Sequence, residues 1–276
     1  MPRKAFLRTA FLLLFLAAIL LPFAAMLVWA FFSSWPADSL LPQHFTLDGF
    51  RSFLKRDMGM AYRSTLFSLF AAALTLLLCI PAARGLLQIR SRIRRYLEAL
   101  LYLPMLLPVV SVSMGSHKLF LALSLTGTPV ILLMHIYFAI PYVFKLTYSC
   151  YTALGIGAEM SARNLGAGNC RIFIRIHLSA YLPGYLTAFM MGFIISYSQY
   201  FVNFYLGGAD HINFAMVMAP LITGSNRNLA SVYILMYLLF GGAVLLLCSV
   251  IPKVVFRRKG DPCGSDRTSE SVFSDR

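Results

Sequence analysis

The chain has 276 residues, of which 59% are hydrophobic and 12% charged, and its formal net charge is +14. Soluble domains carry about a quarter charged residues, so this composition excludes an ordinary soluble domain and points to the membrane. A nucleic-acid binder would concentrate its cations on a polar domain, whereas here they stand at the ends of apolar runs. The five cysteines, at positions 79, 150, 170, 248 and 263, form no CxxC pair and no Cys/His group with metal spacing, which argues against a zinc site or a disulfide scaffold. Cys79, Cys150 and Cys248 read as small apolar residues.

In chain order, Arg3, Lys4 and Arg8 precede an apolar run whose central part, Phe11 to Phe32, holds 22 residues. A bilayer span needs about 20 helical residues, and a signal-peptide apolar region is shorter, about 7–15. The run is therefore expected to be a retained first transmembrane helix. Residues 33–60 are polar. Thr46 suits a cap, and Phe50, Phe53 and Leu54 give a short amphipathic helix on the outer surface. Further apolar runs follow: Ser64 to Ala83, then Ala99 to His117 with Pro104 and Pro108 predicting a kink, then Thr128 to Leu154 with His135, Pro141 and Lys145. A hydrophilic stretch separates these from Ser179 to Tyr205 and Leu229 to Pro252. Residues 118–127 and 206–228 are expected as outer connections, and the tail from Gly260 as polar and disordered.

The fold expected is all-α integral membrane with six transmembrane helices. Its parts are a first helix with the outer segment (1–59), a core of five helices (60–256) and a polar tail (257–276). With the N-terminus inside, segments 1–9, 84–98, 155–178 and 253–276 hold 17 Lys and Arg, and the outer segments hold 6. That bias predicts both termini in the cytoplasm.

The longest hydrophilic interruption before residue 200, Glu159 to Gly184, reads EMSARNLGAGNCRIFIRIHLSAYLPG. Ala158, Ala162 and Leu165 fall on one helical stripe, Glu159 and Arg163 pair at i, i+4, and Gly166 sits where a left-handed helix end is expected. A second short helix can start at Asn169, with Ile172, Phe173 and Ile176 on one face. The expectation is a helix-Gly-helix element lying at the interface.

This stretch resembles the cytoplasmic loop of permease subunits of binding-protein-dependent ABC importers. That signature runs EAA, three residues, Gly, nine residues, Ile, one residue, Leu-Pro. Ala162, Gly166, Ile176 and Leu178 match at the right spacing, with Ala167 in the local run Leu165-Gly166-Ala167. The acid stands one place early, at Glu159, and Ser179 replaces the first proline. Ser196 to Gly208 is similar to the branch that handles polyamines, iron, thiamine and phosphonates.

The resemblance implies a type I inner-membrane permease that forms the translocation path. Its ATPase-coupling loop, within 157–184, would use Glu159, Ala162, Gly166, Ala167, Ile176 and Leu178. The partners implied are cytoplasmic ATP-binding subunits, a second permease (identical or homologous), an extracytoplasmic solute-binding protein and the bilayer, with no nucleic acid. No cofactor, metal or catalytic residue is expected, and no P-loop of the GxxxxGK[ST] kind occurs in the sequence. The chain is therefore expected not to be an enzyme. ATP hydrolysis would come from a separate subunit.

Two polar features lie inside the apolar runs. Gly192, Ser196, Gln199 and Asn203 fall within one helical stripe. Such a stripe faces protein or water rather than lipid. It serves either helix–helix hydrogen bonding, worth about 0.6 kcal/mol per contact, or a translocation path lined by Ser196, Gln199 and Asn203. His135 is either a buried hydrogen-bonding residue or part of that path. A stand-alone secondary transporter is the competing class. It calls for intramembrane acids and inverted repeats, and the sequence offers neither.

Overall fold

A computed structural model describes residues 2–34, 42–155, 157–172, 176, 180–208 and 211–257. The expected Leu178 lies outside the described residues. The protein is a multi-pass helical membrane protein. Among the described residues, four helices are long and apolar enough to cross a bilayer: α1 (Pro2–Phe31), α3 (Met58–Leu87), α6 (Thr128–Leu154) and α12 (Arg227–Arg257). A bent pair, α4 (Ser91–Leu106) and α5 (Val109–Ala122), can supply a fifth span.

The core is the contact of α3 and α6 with α9 (Leu182–Tyr197). Lipid tails are as apolar as Leu, so helices in a bilayer associate by close packing rather than by hydrophobic burial, and small residues at the seam permit it. Helix α3 presents such a seam. Ala61, Thr65, Ser68, Ala72, Thr75, Cys79 and Ala83 recur at three- and four-residue spacing, and all are buried. The Thr65 and Thr75 hydroxyls return to the Ala61 and Ala71 carbonyls at 2.8 and 2.7 Å, which removes their need for another partner. Helix α9 answers with Gly184, Ala188 and Gly192, each four residues from the last. A Cβ on Gly192 would stand 2.9 Å from the Val143 Cγ2 and 3.5 Å from the Ala72 Cα. One on Gly184 would stand 3.0 Å from the Cys150 Cβ.

The expected kinked run Ala99–His117 is two helices meeting at a 97° bend. Pro108 has no N–H to give, and it forces Leu107 into extended backbone (ψ 135°). Helix α5 then runs on to Ala122, so the outer connection begins later than Lys118. The expected single span Ser179–Tyr205 is likewise broken. Helix α9 ends at Tyr197, Gln199 leaves helical backbone (ψ 87°), and α10 runs from Tyr200 to Gly207.

Two further departures concern the outer segments. The fold is all-α as expected, with a short ribbon added beside the helices, in which β1 (Phe32–Ser34) and β2 (Gln43–Phe45) pair antiparallel, Phe32 opposite Phe45. Part of the expected loop 206–228 is the apolar helix α11 (Phe214–Thr223). It folds inward because Phe214 packs on Phe53, Tyr233 and Tyr237, and Asn213 caps it by accepting from the Met216 N–H at 2.9 Å. Helix α2 (Asp48–Arg56) is the amphipathic helix anticipated after Thr46. Phe53 is fully buried, but Leu54 faces outward.

Asn228 ties α12 to α1. Its Nδ2 lies 2.9 to 3.1 Å from the carbonyls of Trp29, Ala30 and Phe32 at the end of α1. Before that end, α1 stands apart, with the side chains of Phe11, Leu14 and Leu21 exposed, as a lipid-facing helix would be. Cys79 and Cys248 are buried and Cys150 is half-buried, all three as free thiols. Lys145 is exposed on α6.

The Gly192 contact is open to test. Gly192→Leu forces a side chain against Val143 and the α3 backbone, and overpacking of this kind costs about 1–3 kcal/mol. Melting of the purified chain in detergent should drop by several degrees. Gly85→Leu, where a Cβ meets nothing within 4 Å, should melt like the wild type. Equal melting of the two variants would remove the seam from the account of the fold.

Candidate functional site

Two polar sites lie at opposite ends of the α3–α6–α9 core. At one end α6 stops at Gly155, whose φ of +68° turns the chain. Helix α7 (Gly157–Asn164) then lies against the end of α3. It closes on Gly166 at φ +79°, with Gly166 N–H bonded to the Arg163 carbonyl at 2.9 Å and Ala167 N–H to the Ala162 carbonyl at 3.0 Å. That pair of bonds is a Schellman ending, which calls for a left-handed residue where Gly stands. The second helix, α8, spans Asn169–Ile172, and Ile172 is buried.

Glu159 is the centre of this corner. Its carboxylate is 5% exposed and accepts from two arginines. Arg84, at the end of α3, donates from Nε to Oε2 at 3.1 Å and from Nη2 to Oε1. Arg163, one turn along α7, donates from Nε to Oε1 at 3.1 Å. A buried carboxylate needs such partners, since the desolvation cost falls on the charged form. The Arg84 fork fits a carboxylate with two parallel bonds, which fixes orientation as well as charge. Behind it, Tyr181 donates to the Gly155 carbonyl at 2.6 Å, and the Tyr151 and Tyr185 hydroxyls meet at 2.6 Å.

At the other end, His135 on α6 is 1% exposed and bonded on both ring nitrogens. Nδ1 lies 2.8 Å from the Ser196 Oγ, and Nε2 lies 3.0 Å from the Asn203 Nδ2. The Asn203 Nδ2 also reaches the Gln199 carbonyl. A carbonyl only accepts, so that contact fixes which end of the amide is nitrogen. Nε2 must then accept, and the Nδ1–H donates to Ser196: a neutral imidazole in one tautomer. Phe67 closes one side of the ring edge-on at 5.1 Å. The Asn213 Nδ2 adds a second donor to the Gln199 carbonyl at 3.2 Å.

His135 and Asn203 border a cavity of about 520 Å³. Arg63, Ser64 and Ser68 reach it from α3, Arg56 and Asp57 from the α2–α3 corner, and His211 and Asn213 from the segment before α11. A second cavity of about 390 Å³ lies where the two helix breaks approach each other, lined by Leu107, Val109, Ser198 and Gln199 among others.

The structure thus separates the residues that the sequence placed on one stripe. Gly192 faces Val143, Ser196 and Asn203 converge on His135, and Gln199 borders the second cavity. The break after Ser198 is the cause. Of the loop residues, Glu159 is buried, Ala162, Ala167 and Ile176 are half-buried, and Gly166 is exposed. His135 both forms buried hydrogen bonds and borders a cavity, so its two readings are compatible. Sequence reasoning missed Arg84 as the partner of Glu159, 75 positions away, and it missed Arg56, Arg63, His211 and Asn213 around the cavity. Their only signal was polarity beside apolar runs. Among the described residues no group of three or more His, Cys, Asp or Glu could hold a metal ion.

No family model matches the chain. It is 31% identical over 161 residues to proteins of Salmonella typhimurium, Salmonella choleraesuis and Salmonella typhi, each provisionally named a 2-aminoethylphosphonate transport system permease protein, PhnV. The match takes in 56% of this chain and 59% of each relative's length. Among solved structures, a chain of the MetNI methionine ABC transporter, in an inward-facing conformation, superposes with a TM-score of 0.55 and 13% identity. The superposition covers 73% of this chain and 96% of that one. The protein therefore has the fold of an ABC-transporter membrane component, and its sequence is similar to that of permease subunits of such transporters.

Proposed function

We propose that the chain is the permease subunit of an ATP-driven ABC importer, a multi-pass inner-membrane protein with both termini in the cytoplasm. In this reading it pairs with a second permease, identical or homologous, around a central path. A cytoplasmic ATPase seats α7 and the chain after it, and an extracytoplasmic binding protein delivers the solute. The chain itself is not an enzyme, and hydrolysis belongs to the ATPase.

The observation that carries this reading is the buried Glu159 held by Arg84. A helix-Gly-helix element that merely lay on the membrane would need no such anchor. This one is clamped by two parallel hydrogen bonds to the end of α3, a helix of 30 residues that spans the core. A push on α7 is therefore delivered to a transmembrane helix. The competing secondary transporter would give this corner nothing to do.

Two expectations follow from the corner. Gly166→Val requires a β-branched residue at φ +79°, which costs roughly 1–2 kcal/mol. Space is not the obstacle, because among the described residues a Cβ there meets nothing within 4 Å. Arg84→Ala strips the anchor from Glu159, and Arg84→Lys retains the charge but loses the fork. Gly166→Val and Arg84→Ala should insert normally, and both should lose ATPase co-purification and transport at matched membrane levels. Arg84→Lys should fall between Arg84→Ala and wild type. Retention of wild-type ATPase capture by Gly166→Val and Arg84→Ala together would sink the coupling role.

The broken helix gives a separate expectation. In the path-lining reading, Gln199→Leu lowers transport several-fold while ATPase capture and second-subunit assembly stay intact. Asn203→Leu also removes a bond to His135, so it should lower transport and the melting temperature together. Loss of assembly in Gln199→Leu would assign that residue to packing instead.

A further inference from the structure

Among the described residues, the 520 Å³ cavity is bordered by more positive than negative charge. Three charged side chains border it: Arg56, Arg63 and Asp57. His135 is neutral by its hydrogen bonds, and His211 lies 3.2 to 3.3 Å from the Thr128 hydroxyl. The Asp57 carboxylate is engaged by the Tyr233 hydroxyl. Among the described residues, neither Arg56 nor Arg63 stands within ion-pair distance of a carboxylate. Arg63 spends only its Nε, on the Gly59 carbonyl of its own helix at 3.3 Å. The outer nitrogens of its guanidinium, and those of Arg56, are left to meet a ligand. Deeper in, the wall offers hydroxyls from Ser64 and Ser68 and ends on the buried His135–Asn203 pair.

Such a wall selects by charge and geometry. Guanidinium forks fit the planar or tetrahedral oxygens of carboxylate, phosphate and phosphonate. Arg56 and Arg63 are exposed, so they meet the ligand at the cavity mouth, within reach of water. A volume of this size suits a small molecule. We propose that this cavity binds a small oxyanion of the phosphonate, phosphate or carboxylate kind through Arg56 and Arg63. The inference rests on the permease reading only in naming that oxyanion as the transported solute. Binding itself is a property of this chain.

The test uses the full chain in nanodiscs of phosphatidylcholine, titrated calorimetrically with methylphosphonate and with its neutral diester, dimethyl methylphosphonate. Methylphosphonate should bind saturably and the diester should not. Arg56→Gln and Arg63→Gln should each weaken binding by about tenfold or more, the usual loss for a charge-assisted hydrogen bond. Asp57→Asn removes the one opposing charge and should tighten binding several-fold, a gain that misfolding cannot imitate.

Discs of phosphatidylglycerol separate the two sources of such an oxyanion. Unchanged methylphosphonate affinity there supports a soluble ligand. Competition by the anionic lipid that Arg63→Gln abolishes supports the same oxyanion chemistry with a headgroup as its source. The proposal is overturned if methylphosphonate gives no saturable heat in phosphatidylcholine and wild type and Arg63→Gln melt alike in both lipids. It is also overturned if Asp57→Asn weakens binding. ATPase capture through Glu159, at the other end of the bundle, tests the permease reading independently of these results.

Discussion

The rest of the structure depends on how closely α9 can approach α3 and α6. Water drives helices together in a soluble bundle, but lipid does not, so contact must come from dispersion between surfaces that fit. Gly184, Ala188 and Gly192 make one face of α9 nearly flat. Ala72 and Val143 fill the space that side chains would have taken at Gly192, and Cys150 does so at Gly184. Once this contact is made, both ends of the bundle are fixed. Ser196, one turn beyond Gly192, is brought to the Nδ1 of His135. The start of α9 brings Tyr181 to Gly155 and Tyr185 to Tyr151, and so sets where α7 must begin.

The helix breaks are possible for the same reason. Backbone polar groups in a bilayer need protein or water as partners, so non-helical chain is tolerated only inside the protein or beside a cavity. Both breaks meet that condition. Leu107 and Val109 stand beside Ser198 and Gln199 around one cavity, and the freed Gln199 carbonyl receives two asparagine side chains. Asn213 serves twice, since its amide nitrogen reaches Gln199 while its oxygen caps α11. Breaking a membrane helix here therefore places polar groups in the core without leaving them unpaired.

What the sequence could reveal follows from the range of the forces involved. The four long helices, the amphipathic α2 and the left-handed Gly166 rest on local periodicity and on backbone sterics, and these are legible in the sequence. Polar spacing also picked out Ser196, Gln199 and Asn203. Their common stripe was not real, because the chain leaves the helix at Ser198, where no proline or glycine marks the break. The α4–α5 bend was legible as a kink at Pro104 and Pro108, but not as a 97° turn. Helix α11 is not legible in the stretch 206–228 because its folding depends on Phe53 and Tyr233, far away in the chain. The partnership of Arg84 with Glu159 had the same cause. A one-place shift of the acid in the loop is intelligible only when the arginine it faces is known.

Helix α3 joins these observations physically. At about 1.5 Å per residue, its 30 residues reach about 45 Å, and about 32 Å of that length separates the cavity rim at Arg63 from the anchor at Arg84. Pro81 lies three residues before that anchor. A proline inside a helix removes the hydrogen bond to the carbonyl four residues back, here that of Leu77, and softens the turn between them. The small-residue seam of α3 against α6 and α9 runs on past Pro81 to the buried Ala83, so the turn bearing Arg84 is softened at Pro81 yet still packed. In the proposed importer, a displacement of α7 is therefore divided. Part is absorbed as bending at the proline, and the remainder moves the seam, carrying Arg63 and Ser64 relative to the asparagines opposite. The stiffness of one turn thus sets how much of the loop's motion reaches the cavity. A residue lacking contact with either the ATPase or the solute would govern the coupling between them.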